Sequence, residues 1–188
     1  RTKLIIENII NDWTKVDIKR RGTILRYFNP VGAHESGQIG EEPIGIPNNL
    51  MPYIAQVADG RRKYLNIFGN DYETADGTGA RDYIHVVDLA LAHIGALNQS
   101  KLDKFEVLNI GGGKGTTVFE LLNIFQETCG VTIKFKYLPR RDGDLATFWA
   151  NSSKSFEKMD WKPERNIKKI CEDTWRWHKL NPRGYGAK

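Results

Sequence analysis

Near the start of the chain, Ile6, Ile9, Ile10 and Trp13 recur at i, i+3, i+4 and i+7, with Glu7 and Asn11 elsewhere. That period predicts a helix over residues 2–13. Residues 23–28 are β-branched and aromatic and stop at Asn29-Pro30, which predicts a strand running into a loop. Residues 31–47 carry four glycines and two prolines among polar residues, and a loop this long in a compact domain is usually functional. Asn48 or Asn49 can cap a helix reaching Asp59, with Gly60 after its end. Short strands are expected at residues 65–68 and 82–86, separated by a second long polar loop over residues 69–81. A helix rich in Ala and Leu follows over residues 87–98. A strand at 105–110 closes on Gly111-Gly112-Gly113, and Thr116 or Thr117 caps a helix to Cys129. Residues 131–137 alternate apolar with polar side chains, as a half-exposed strand does. Residues 140–144 form a charged loop, and helices over 152–159 and 166–180 finish the chain.

Composition narrows the picture. The 188 residues are 40% hydrophobic and 27% charged, the proportions of an ordinary soluble globular protein. No run of about 18 apolar residues exists to cross a membrane, and the first residues lack the layout of a secretory signal. The two cysteines, Cys129 and Cys171, have no metal-like spacing and sit in apolar-periodic helices, which predicts reduced thiols and a cytoplasmic setting. The net charge of +5 comes from interrupted clusters rather than a continuous stripe. It suits a small polyanion such as a diphosphate better than nucleic acid.

Three constellations could carry chemistry. Gly111–Gly115, between a strand and a helix, has the look of a phosphate loop but lacks the full G-x-G-x-x-G spacing. It reads as a tight turn whose glycines permit positive φ. Asn29-Pro30 and Asn48-Asn49 could offer side-chain amides and free helix N–H groups to a sugar or pyrophosphate, or could simply cap and turn the chain. Arg81, Arg140 and Arg141 lie near acids in sequence, Asp82 for the first and Asp142 and Asp144 for the others. They form either surface ion pairs or arms reaching a diphosphate. His34, His85, His93 and His178 are scattered, and no metal-ligand cluster emerges.

Taken together, the segments resemble the UDP-glucose (UDP-galactose) 4-epimerases of the extended short-chain dehydrogenase/reductase superfamily. The matching stretches are residues 25–34 (Leu-Arg-Tyr-Phe-Asn-Pro-Val-Gly-Ala-His), 45–53 (Gly-Ile-Pro-Asn-Asn-Leu-Met-Pro-Tyr) and 68–72 (Phe-Gly-Asn-Asp-Tyr). They continue with 76–79 (Asp-Gly-Thr-Gly), 81–86 (Arg-Asp-Tyr-Ile-His-Val), 109–113 (Asn-Ile-Gly-Gly-Gly) and 140–144 (Arg-Arg-Asp-Gly-Asp). The resemblance runs over essentially the whole chain. It implies an α/β fold: the C-terminal part of a doubly wound Rossmann-type fold plus the smaller substrate-binding lobe. Residues 1–188 would supply the last strands of that sheet and the UDP-sugar lobe, with the N-terminal NAD-binding half outside the chain. Arg1-Thr2-Lys3 resembles the end of the family's Tyr-x-x-x-Lys motif, whose tyrosine would precede Arg1 by two residues.

The resemblance also implies an activity and its parts. The intact enzyme would use NAD to interconvert UDP-glucose and UDP-galactose through a 4-keto sugar, as a homodimer, without nucleic acid, membrane or metal. The 188 residues alone would be inactive. Lys3 would hold the nicotinamide ribose and favour the catalytic phenolate, and Tyr27 and Pro30 would line the nicotinamide side. Asn29 would contact the UDP-sugar, Asn49 and Leu50 the diphosphate, and Asn66 and Phe68 the uracil. Arg81 and Arg141 would bind the diphosphate, Asp144 the ribose, and Phe148 would bound the sugar pocket. Two rival expectations stand beside this one: a non-catalytic UDP-sugar-binding fragment, and a related sugar-nucleotide dehydratase or decarboxylase. The Asp76–Tyr83 run argues against the second.

Overall fold

The β-branched run that predicts the first strand forms it, and its pairing organises the rest of the molecule. In the computed structural model, which describes residues 1–98 and 102–186, β1 (Gly22–Tyr27) runs parallel to β6 (Phe105–Ile110) over six residue pairs. At Phe28 the chain changes partner. The Phe28 amide donates to Ile110 O, and the next amide, Asn29, donates to Asp82 O. β2 (Asn29–Val31) then runs parallel to β5 (Tyr83–His85). Such a change of neighbour opens a crevice at the carboxyl ends of parallel strands, where ligands of doubly wound sheets bind.

The remaining elements are α1 (Thr2–Val16), α2 (Leu50–Ala58), β3 (Leu65–Phe68), β4 (Ala80–Arg81), α3 (Val86–Asn98) and β7 (Thr116–Thr117). After them come α4 (Val118–Cys129), β8 (Phe135–Leu138), β9 (Thr147–Phe148), α5 (Ser153–Met159) and α6 (Ile167–Leu180). β3 pairs with β8 in parallel, and β4 lies between β7 and β9. Two apolar clusters result. Met51, Ile54, Leu65, Ile67, Leu122 and Phe125 gather α2, β3 and α4, joined by Ile170 and Cys171 of α6. Ile84, Leu89, Leu108, Ile110, Met159 and Trp161 pack α3 and α5 against β5 and β6. The period of two in β3 and β6 decides which residues enter: Leu65 and Ile67, then Leu108 and Ile110, are buried while their neighbours are partly exposed.

α4 begins and ends as its sequence requires. Thr117 accepts from the Glu120 amide, Glu120 reaches back to the Thr117 amide, and Gly130 closes the helix with φ 65°.

Four expectations need correction. Helix α1 extends to Val16, and its apolar stripe is not its packed face: Ile6, Ile9 and Trp13 are all about half exposed or more. The helix instead turns Glu7, Ile10, Asn11 and Thr14 inward, because Glu7 forms a two-pronged bond to Arg26 of β1 and Ile10 and Thr14 meet Gly22. The strand expected from residue 131 starts only at Phe135. Gln126 captures the preceding backbone, its carbonyl taking Val131 N–H and its side chain Ile133 N–H. The strand expected over 82–86 spans only Tyr83–His85, since Val86 already opens α3. The polar loop over 69–81 ends in β4, and β9 had no expected counterpart; both are two-residue strands, too short to show a period.

Cys129 and Cys171 are free thiols, with Cys129 Sγ 3.7 Å from Cys171 O. Burial pushes both up, Cys129 to about 12, so neither is a ready thiolate. No helix among the described residues is long and apolar enough to cross a membrane.

Two histidines belong to the core. His85 accepts Val87 N–H at Nδ1 and therefore offers Nε2–H to Asp173, 3.2 Å away, which ties β5 to α6. His178 takes a 2.8 Å bond from Arg61 at Nδ1. Burial, with the Arg61 charge added and Asp59 opposing, lowers His178 to about 4. The unfolded chain binds this proton near pH 6.5, so the stabilisation is full above that pH and is lost as pH falls toward 4. The slope is at most about 1.4 kcal/mol per pH unit for one proton. Burial lowers His85 as well. His178→Gln should flatten this acid limb, read from urea midpoints at pH 7, 6 and 5; an unchanged slope would remove His178 as its source.

Candidate functional site

The crevice beside Phe28 opens into a cavity of about 530 Å³. Asn29 and Pro30 of β2 form one wall, Asn49 and Leu50 at the start of α2 another, and Asn66 and Phe68 of β3 a third. Arg81, Arg141 and Asp144 close the charged end. Nine of the twelve residues given a role by the resemblance therefore meet in one place, although they span more than a hundred positions of the chain.

Asn49 occupies the N-cap position of α2, yet its side chain makes no capping bond; Nδ2 points instead to Glu41 at 3.4 Å. Capping does not account for this asparagine. Among the described residues no side chain accepts from the first N–H groups of α2, and the positive end of the helix dipole lies at the cavity-lining Asn49 and Leu50.

The arginines are arranged differently from their order in sequence. Arg81 does not pair with Asp82. Successive side chains of an extended segment leave on opposite faces, so Arg81 turns toward Asp144 (3.6 Å) and donates to Ala80 O and Leu145 O at 2.8 Å each. Arg141 reaches the other oxygen of Asp144 at 2.8 Å and lies 4.9 Å over the Phe68 ring. One carboxylate thus faces two guanidinium groups, leaving one positive charge uncompensated in the trio. Arg140 turns away: it binds Asp71 at 2.8 Å and covers the Tyr72 ring, rather than pairing with Asp142 or Asp144.

Asp82, freed from Arg81, is buried under the glycine turn. Its carboxylate accepts N–H bonds from Gly112 (2.7 Å), Gly113 (2.9 Å) and Ala150 (3.0 Å). Two of the turn's amides are therefore spent on an internal carboxylate, which fits its reading as a structural turn.

Three of the singled-out residues do not border the cavity. Phe148 stands one ring outside it, stacked on the cavity-lining Phe28 at 5.0 Å and 23°. Tyr27, half exposed at the end of β1, is oriented by His93: His93 Nδ1–H donates to Leu89 O, so the Tyr27 hydroxyl donates to Nε2 at 2.7 Å. Lys3 lies exposed in the first turn of α1. Conversely, Tyr53, Tyr72, Tyr83 and Val118 line the cavity without having been singled out. The Tyr83 phenol is pushed up by burial. Its place two residues after Arg81 on an extended segment was the available signal.

Comparison with known proteins gives this geometry a class. A family model described as GDP-mannose 4,6 dehydratase matches residues 1–174, and the chain belongs to that family. Within it, the similarity is to UDP-glucose 4-epimerases. The chain is 50% identical over 184 residues to the UDP-glucose 4-epimerase of Erwinia amylovora, covering 97% of this chain and 55% of that protein. It is similar in structure to the UDP-glucose-4-epimerase of Stenotrophomonas maltophila, which holds NAD and formylated UDP-arabinopyranose. The TM-score is 0.93 at 46% identity, covering 97% of this chain and 55% of that one. It is likewise similar to the UDP-glucose 4-epimerase of Bifidobacterium longum in complex with NAD+ and UDP, with a TM-score of 0.90 at 44% identity, covering 97% and 55%. The chain thus spans about half the length of the relatives it matches.

Proposed function

We propose that this chain is the UDP-sugar-binding, C-terminal part of an NAD-dependent enzyme that interconverts UDP-glucose and UDP-galactose in the cytoplasm, as a homodimer. The observation that carries this reading is the pair of arginines sharing Asp144 across the cavity from the uncapped start of α2. A diphosphate carries the charge that two guanidinium groups and a helix N-terminus complement. Phe68 and Asn66, beside Arg141, offer a ring and a strand edge for uracil. Asp144 accepts from a ribose hydroxyl, and Asn29, at the strand crossover, donates to and accepts from the sugar.

The fit to NAD is partial and specific. The two central amides of the glycine turn, those of Gly112 and Gly113, are held by Asp82 rather than offered to a pyrophosphate. What this chain offers is a nicotinamide side: Tyr27, locked by His93, Pro30 of β2, and Lys3 on α1. The cofactor's adenosine and pyrophosphate fall to residues beyond this segment. NAD, when bound, supplies a hydride acceptor at C4 of the sugar and later the donor. The chain's own part is to hold UDP fast while the 4-keto sugar turns over, and to place the Lys3 ammonium where it favours a neighbouring phenolate over the phenol.

The test uses the full-length protein: NAD-dependent conversion of UDP-galactose to UDP-glucose, with UDP as a competitive inhibitor. Absence of both conversion and UDP binding would discard this reading. UDP binding without conversion would favour a binding module, and loss of water from the sugar a dehydratase.

Phe148 bears on substrate choice. Stacked against Phe28, it backs the wall beside Asn29, and a 2-acetamido group needs both room and an amide partner there. Poor use of UDP-N-acetylgalactosamine is expected. Phe148→Cys should raise its kcat/KM relative to UDP-galactose by about tenfold or more. Equal kcat/KM for the two sugars in the parent enzyme would refute the assignment.

A further inference from the structure

The cavity wall formed by residues 46–50 depends on a segment with little to hold it. Among the described residues, no backbone–backbone hydrogen bond anchors residues 42–47. Ile44 is fully exposed and Ile46 is 70% exposed, so apolar burial fixes the segment only at its end, where Pro47 is buried. Gly45 sits at φ 82° with open space around its Cβ position. Two side chains fasten the segment from outside. Arg61 bonds Glu42 at 3.2 Å, and Arg62 bonds the Gly45 carbonyl at 3.3 Å.

Arg62 does more than hold one carbonyl. Its Nε donates to Gln56 Oε1 at 2.6 Å, its own amide donates to Gln56 O at 2.9 Å, and its guanidinium plane lies 5.0 Å over the Tyr53 ring. Gln56 is buried in α2, and Tyr53 lines the cavity. One planar group therefore joins the loop, the helix interior and an aromatic wall of the cleft. We propose that Arg62 is a positioning residue for the nucleotide-sugar cleft, latching segment 42–47 to α2 so that Ile46, Asn48 and Asn49 stay against the ligand. The proposal rests on the UDP-sugar reading of the cavity. Arg62 touches no reacting atom, and its effect reaches the ligand only through the loop and Tyr53. The planar fork is required: a lysine keeps the charge but cannot serve Gln56, Gly45 and the ring together.

The test compares full-length parent, Arg62→Lys and Arg62→Gln, the second variant guarding against a folding failure of the first. Kinetics with UDP-galactose, titration with UDP and digestion with thermolysin, which cuts before exposed bulky apolar residues, are read in parallel. The expected result is a rise of about five- to tenfold in KM and in the Kd for UDP, with kcat within about twofold, the pattern of lost binding rather than lost chemistry. Cleavage before Ile44 should accelerate in the free variants and return to the parent rate with saturating UDP; Pro47 protects the bond before Ile46. Unchanged Kd with unchanged cleavage, or a fall in kcat at constant KM, would overturn the proposal. If the parent itself binds no UDP, the site reading fails, and the cleavage rates without ligand still decide whether Arg62 latches the loop.

Discussion

Asp82→Ala is expected to destabilise the protein by about 2–4 kcal/mol, since it strands three backbone donors, one buried at Ala150 and two on the exposed Gly112 and Gly113 where water relieves part of the loss, at a cost of roughly 1–3 kcal/mol for each that stays dry. The side chain is 1% exposed, and its two oxygens receive the amides of Gly112, Gly113 and Ala150. A Cβ at Gly111 would come within 2.5 Å of the same carboxylate, so the turn is fitted around it. Asp82→Asn keeps the volume but presents N–H to N–H at one oxygen position, and should lie between parent and alanine. Urea unfolding of the three proteins reads the effect directly. A loss under about 1 kcal/mol would mean that water replaces the carboxylate without penalty, and the turn would then have to be held by something else.

Arg81→Ala should weaken UDP binding by about 2–4 kcal/mol, roughly 30- to 1000-fold, because it leaves a partly enclosed phosphate charge without its partner. Arg81 is the better placed of the two arginines. Its side chain is 22% exposed and pinned by two carbonyls, whereas that of Arg141 is 55% exposed. Water screens the more exposed group, so Arg141→Ala should cost less, about 1–2 kcal/mol. Uridine has no phosphate and should bind all three proteins alike. Calorimetric titration separates the outcomes. An equal loss for uridine would trace the effect to a damaged cleft, and a loss under about fivefold at Arg81 would take the diphosphate away from it.

The two arginines also mark how far a sequence can be read unaided. Strands and helices with several periods, such as β6 and α4, were legible because burial selects alternate or every third and fourth residue. Two-residue strands carry no period, so β4 and β9 were invisible. Charge pairing failed at Arg81 because neighbours in an extended chain diverge, and at Arg140 because the guanidinium is drawn over the Tyr72 ring to Asp71; the true partners, Asp144 and Asp71, lie 63 and 69 positions away. The glycine turn was read correctly as structural, but nothing in the spacing named Asp82 as the anion it holds. The cavity residues came together from motif resemblance. Tyr53 and Tyr72 lay within or beside those motifs without a chemical signature of their own. The α1 stripe misled because an apolar face predicts a helix without saying what it meets.

The two apolar clusters meet where β2 pairs with β5. Val31 of β2 belongs to one and Ile84 of β5 to the other, and these strands are hydrogen-bonded neighbours. Their first pair, Asn29 and Tyr83, looks into the cavity. The apolar residues that line the cavity, Val31, Tyr83, Leu65 and Ile67 among them, belong to the first cluster, so a ligand lodged there braces that cluster and touches the second only across the strand pair. Slow amide hydrogen exchange in α4 and in β6 should therefore report two opening events in the free protein. In the liganded protein the two events separate further, because the ligand makes the first cluster's opening costlier and leaves that of β6 little changed.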